Sequence, residues 1–187
     1  MVILNERISI TAPFEKLCHW ADNFEEEFVK WSPLHLHCNL LDGGIKTGDR
    51  VRFHEVVMGL DYDVTGRIKE SERDDQHFRF VFENENKTAV ITLEGKRTDG
   101  GCTFSHTEAF GVQMPVIGPI MNFLIFKVFF KKKANWDLIR QDMILDNFLL
   151  KDILESGKYS ERIPEGQILK TSPSELMEKL GYLGYKV

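Results

Sequence analysis

Apolar and polar residues alternate from Val2 to Thr11, and Pro13 halts the run, which predicts a strand leading into a helix. From Phe14 to about Trp31 the spacing changes. Leu17, Trp20, Ala21, Phe24, Phe28 and Val29 recur at helical intervals, with Glu25, Glu26 and Glu27 on a solvated face, until Ser32-Pro33 ends the pattern. Turn signals then arrive regularly, at Asp42-Gly43-Gly44, Lys46-Thr47-Gly48-Asp49, Gly59, Asp74-Asp75, Asn84-Glu85-Asn86 and Asp99-Gly100-Gly101. They delimit β-like runs at roughly His35–Leu41, Val51–Met58, Asp61–Glu70, His77–Glu83, Thr88–Arg97 and Cys102–Val112, an antiparallel meander.

A long helix is expected from Ile117 to about Glu155, with Gly118-Pro119 as a break or cap and Gly157 as its stop. Beyond it, Lys158 to Thr171 is polar, and Ser172-Pro173-Ser174-Glu175 matches a capping box opening a short helix to about Leu180. Strand, helix, six strands and a long helix make an α+β arrangement whose sheet buries one face against that helix. The division expected is one domain over residues 1–157 and a C-terminal extension over 158–187.

At 187 residues the chain suffices for one well-cored domain, and 42% hydrophobic with 28% charged residues is a globular composition. A net charge of -5 argues against a nucleic-acid partner, which would need a surplus of Lys and Arg. The three cysteines, Cys18, Cys38 and Cys102, lack CxxC spacing, so neither a disulfide framework nor a thiolate zinc site is encoded, and a reducing, cytoplasmic location is expected. MVILNERISI lacks the basic and apolar regions of a secretory signal. Val116 to Phe130, interrupted by Pro119, Asn122 and Lys127, is short for a bilayer span and reads as buried.

Candidate chemistry comes from polar residues on apolar faces. In Val51 to Val57, Glu55 shares parity with Val51, Phe53 and Val57. His106 and Glu108 share parity with Cys102, Phe104 and Phe110. On the long helix, Asp142 and Asp146 fall inside the stripe of Leu138, Ile139, Met143, Leu149, Leu150 and Ile153, four apart on one face. Two buried carboxylates so placed need hydration, protonation, cationic partners or a metal ion. His35 and His37 share parity in the short run after the helix stop, which leaves open whether their face or that of Leu36 and Cys38 is buried. His35 is favoured, because the turn before it can aim it. His, Asp and Glu together are the ligand set of a non-thiolate transition-metal site.

The order of elements over Val2 to Glu155 resembles the helix-grip fold of the START and Bet v 1-like superfamily, the polyketide cyclase or SRPBCC group. That resemblance implies a seven-stranded curved sheet gripping the C-terminal helix around a cavity for a hydrophobic small molecule. Trp31-Ser32-Pro33-Leu34-His35 looks like the Trp-His-Pro-x-His segment of a branch similar to diacetylphloroglucinol hydrolase, a zinc enzyme cleaving a carbon-carbon bond, with Ser32 in place of the first His. His54-Glu55 is similar to that branch's Phe-Glu segment, and Asp142 and Asp146 occupy the spacing of its His-x-x-x-Glu pair.

The resemblance suggests His35, Glu55, Asp142 and Asp146 as ligands of a divalent ion (zinc, manganese or iron), with His106 or His37 supplying a further nitrogen. Asp at 142 makes the set harder and more anionic. His106 and Glu108 are then the expected catalytic proton carriers, and Phe53, Phe78, Phe80, Phe104, Phe110 and Met143 the expected ligand-binding wall for an aromatic or polyketide-like molecule. Two other classes remain open. One is a metal-free carrier of an apolar ligand; the other is a partner-binding module using Leu176, Leu180, Tyr182, Leu183 and Tyr185. No oligomeric state follows from the sequence.

Overall fold

A computed structural model describes residues 1–57, 60–112, 117–124, 133–168, 170 and 173–181. Its strands are β1 (Val2–Ile10), β2 (His35–Leu40), β3 (Arg50–Val57), β4 (Leu60–Arg73), β5 (His77–Asn84), β6 (Ala89–Thr98) and β7 (Gly101–Phe110). Its helices are α1 (Phe14–Asp22), α2 (Phe24–Trp31), α3 (Ile117–Leu124), α4 (Lys133–Ser156), α5 (Glu165–Ile168) and α6 (Pro173–Lys179). All seven strands join one antiparallel sheet in the order β1-β7-β6-β5-β4-β3-β2. β1 closes against β7 because α1 and α2 carry the chain from one edge of the meander to the other. Helix α4 lies against β1, β7, α2 and α6, and Leu145, Leu149, Leu150 and Leu154 bury its stripe.

The structure departs from the sequence reading at two points. The helix expected over Phe14–Trp31 is two helices, because Asn23 leaves helical geometry at ψ 29° and its side-chain Nδ2 donates to His19 O at 2.8 Å. The Asn23 backbone N–H closes on the same carbonyl at 3.2 Å, so side chain and main chain cap the helix end together. Within β3 the buried residue after Phe53 is Val56, not Val57, so strict alternation fails at the strand's end.

Gly157 does end α4: it sits at φ +68° and its N–H closes on Ile153 O at 2.9 Å. A Cβ on Gly95 would stand 2.9 Å from Leu17 and closer still to Phe78, so the missing side chain lets α1 sit directly on β6.

After α4 the chain packs back rather than trailing away: Ile168 and Leu176 are buried in the same core as Trp20 and Phe104. The short helix α5 was not foreseen in what reads as a polar stretch. The hydroxyl of the expected capping box, on Ser172, lies outside the described residues, as do Tyr182, Leu183 and Tyr185 and the 125–132 part of the expected long helix. Among the described residues no helix is long and apolar enough to cross a membrane.

Candidate functional site

The turn between α2 and β2 sets the first functional side chain. His35 N–H closes on Ser32 O at 3.0 Å, and the strand that follows carries a β-bulge between His35 and His37. The extra residue, Leu36, reverses the parity. His35 and His37 therefore do not share a face, contrary to the expectation from their spacing. His35 is 2% exposed and points into the core, while His37 is exposed and pairs with His54 on the outer surface, ring centroids 5.7 Å apart. His37 cannot supply a nitrogen to the interior.

Phe28 holds the His35 ring flat beneath its own, centroids 4.0 Å apart at 4°, and Phe28 O lies 2.9 Å from His35 Nδ1. A carbonyl only accepts, so Nδ1 carries the proton and Nε2 faces inward. There it lies 3.3 Å from Asp146 Oδ2 and 3.4 Å from Glu55 Oε2, longer than the roughly 2.7–2.9 Å of a charge-assisted hydrogen bond. Glu55 arrives as the cross-strand partner of His35, and Asp146 comes from α4, where Trp31 Nε1 donates to the Asp146 carbonyl at 2.7 Å. That bond fixes α4 against α2 at the site.

Across the cavity, His106 and Glu108 project from the inner face of β7, with Nε2 and Oε1 3.1 Å apart. His106 Nδ1, Asp142 Oδ1, Asp146 Oδ1 and Asn147 Oδ1 are buried with no hydrogen-bond partner. His35, Glu55, His106, Glu108, Asp142 and Asp146 thus meet in one cavity of about 30 Å³, walled by Phe24, Phe28, Trp31, Phe53, Phe80, Ile91 and Leu93. This is room for a water or two, far below the roughly 300–1,000 Å³ of an ordinary ligand pocket.

Four carboxyl groups facing two imidazoles in this enclosure cannot all ionise at once. Burial, reinforced by the Asp146, Glu55 and Glu108 charges, pushes the Asp142 carboxyl well above the usual range. Burial also pushes Glu55 up, to about 7, against the pull of His35. Burial works against protonation of His35 and His106, but neighbouring carboxylates outweigh it and both stand above the ordinary value. Among the described residues no group of three or more His, Cys, Asp and Glu side chains is arranged closely enough to hold a metal ion as it stands.

Of the expected wall, Phe53 and Phe80 line the cavity. Phe78 lines a neighbouring cavity of about 50 Å³ that shares Phe24, Phe80 and Leu93 with the polar one. Phe104 and Met143 are core, and Phe110 packs on Trp136 with centroids 5.5 Å apart. The rings that sequence reasoning did not assign to the site, Phe24, Phe28 and Trp31, come from α2. Their i, i+4, i+7 spacing marks an inward face but not what that face meets.

Comparison with solved structures settles the architecture. The chain is similar to a polyketide-cyclase-like protein from Corynebacterium glutamicum (TM-score 0.50, 15% identity, 85% of this chain and 97% of that one). It is also similar to Ara h 8.0201 (TM-score 0.54, 12% identity, 82% and 97%) and to KanY (TM-score 0.56, 15% identity, 82% and 97%). This is the helix-grip fold. At these identities the likeness is one of fold, and the helix-grip frame does not choose among activities. No protein-family model and no curated protein sequence matches the chain.

Proposed function

We propose that this helix-grip protein acts on the carbonyl of an aromatic or polyketide-like small molecule at a divalent-cation centre formed by His35, Glu55, Asp142 and Asp146. The observation that carries it is the state of His35. Its Nδ1 is committed to a backbone carbonyl, the outer bond that characteristically orients a metal-binding imidazole, while Nε2 faces two carboxylates.

The separations of 3.3 and 3.4 Å suit neighbouring ligands better than hydrogen bonds, since donors about 2.0–2.1 Å from a tetrahedral ion stand about 3.4 Å from one another. Unpartnered oxygens on Asp142 and Asp146 supply further donors and a charge that a cation would neutralise. When bound, such an ion polarises a carbonyl and lowers the pKa of a water.

The protein's own groups do the rest. His106, oriented by Glu108, gives or takes the proton, and the aromatic wall excludes water and receives the ring of the ligand. Phe24, Phe80 and Leu93 line both the polar cavity and its neighbour, and their movement would enlarge the space for a ligand. This is the chemistry that the resemblance to diacetylphloroglucinol hydrolase implies.

Acylated phenols and diketones offered to the protein with zinc, manganese or iron should be cleaved, and chelator should abolish turnover. No turnover with any of the three ions would remove the catalytic claim.

A second reading rests on the proton chemistry. With Asp142 protonated and Glu55 titrating near 7, the cluster neutralises itself without an ion and serves as a hydrogen-bonding floor for an apolar ligand's hydroxyl or carbonyl. Native mass spectrometry separates the two, through a co-purified organic compound with no ion or an ion retained with the protein.

A further inference from the structure

The turn that carries His35 is also held by a residue from beyond α4. Helix α2 ends at Trp31, so the carbonyls of its last turn have no partner within the helix. Phe28 O is met by the His35 imidazole. Val29 O is met from 133 residues away, by Nη1 of Arg162, at 2.8 Å. The same nitrogen lies 3.2 Å from Ser32 O and 2.6 Å from His35 O, so one guanidinium spans the helix end, the turn and the first residue of β2. A fixed cation is also favoured at the negative end of a helix. Tyr159 ties the same segment to α2 elsewhere, donating to Glu27 Oε2 at 3.0 Å without reaching the turn.

We infer that Arg162, from the segment after α4, is a positioning residue that holds the α2–β2 turn and through it the inward aim of His35. The C-terminal extension is then part of the functional site although none of its residues enters the cavity. The inference rests on the reading of His35 as a functional group, and its test reports on His35 without metal, ligand or turnover.

A buried imidazole N–H bonded to a carbonyl gives a downfield proton resonance in slow exchange with water, here that of His35 Nδ1, assigned by its loss in H35Q. In Arg162→Gln its exchange should quicken about tenfold, the worth of one hydrogen bond to a carbonyl. Arg162→Lys, which keeps the charge and three donors without the planar fork, should fall between. Tyr159→Phe, which loosens the segment but leaves the turn fastened, should leave the resonance as in the parent.

Equal exchange in Arg162→Gln and the parent overturns the role of Arg162. Absence of the resonance from the parent overturns instead the assignment of the His35 proton, and with it the reading of the site. Should Arg162→Gln not fold, Arg162→Lys against Tyr159→Phe decides: faster exchange in the lysine variant supports the inference, and equal exchange contradicts it.

Discussion

Two histidine–carboxylate groups stand on opposite faces of the sheet, and they differ in nearly everything but composition. On the outer face, half-buried His54 contacts exposed Asp61 while Arg52 pairs with Asp63, both open to water. On the inner face, His35 meets Glu55 and Asp146 in a cavity from which water is almost excluded. Solvent screens the outer pairs, so they contribute little to stability. Within, the same charges lie where desolvation dominates, and the protein accommodates them only by holding protons or a cation. What separates a surface pair from a reactive centre is the face of the sheet it occupies, and one bulged residue, Leu36, determines that for His35 and His37.

The comparison breaks most visibly at its histidines. His35→Ala leaves Glu55 and Asp146 without their nearest positive neighbour and removes a ring stacked on Phe28, so we expect a loss of about 3 kcal/mol in urea unfolding. His54→Ala on the outer face should change stability by less than about 0.5 kcal/mol. Equal losses would mean that the cavity does not isolate its charges.

pH sharpens the contrast. Glu55, raised to about 7, binds protons more tightly in the folded chain than in the unfolded one. Its contribution is therefore fully present below about pH 4.5, the unfolded value, and is lost as pH rises through about 7. His35 and His106, raised above 6.5, act in the same sense, stabilising below that value and losing their contribution above it. In chelator, the protein should be most stable in mild acid and weaken toward pH 8. Glu55→Gln should flatten that decline by roughly 3 kcal/mol, read from denaturation midpoints across the range. An unchanged pH profile in the variant would show that Glu55 is not a main titrating group.

The smallest effect belongs to the outer carboxylate. Asp61→Asn should shift the thermal midpoint by no more than a degree or two, and less at high salt.

The inner face was readable wherever a single element's period decides which way a side chain points. Helical spacing put Asp142 and Asp146 in the buried stripe of α4, and strand parity put His106, Glu108 and Glu55 inward, as found. Parity failed at Leu36, where pairing between strands changes the count, because a bulge depends on the partner strand and not on local spacing. Sequence pattern was also silent about what a face meets: the α2 rings reach the cavity because α2 packs beside β2, and the Arg162 contact joins residues more than 120 apart. Such contacts leave no periodic trace.

Metal content tests the central claim most directly. The protein is purified without chelator or affinity metal and compared with the Asp142→Asn, Asp146→Asn double variant, folding being checked by circular dichroism. Near-stoichiometric zinc, manganese or iron in the parent, lost in the folded variant, is the result this account predicts. An equal content of bound ion in both proteins, or none in the parent even after divalent ions are added, would contradict it.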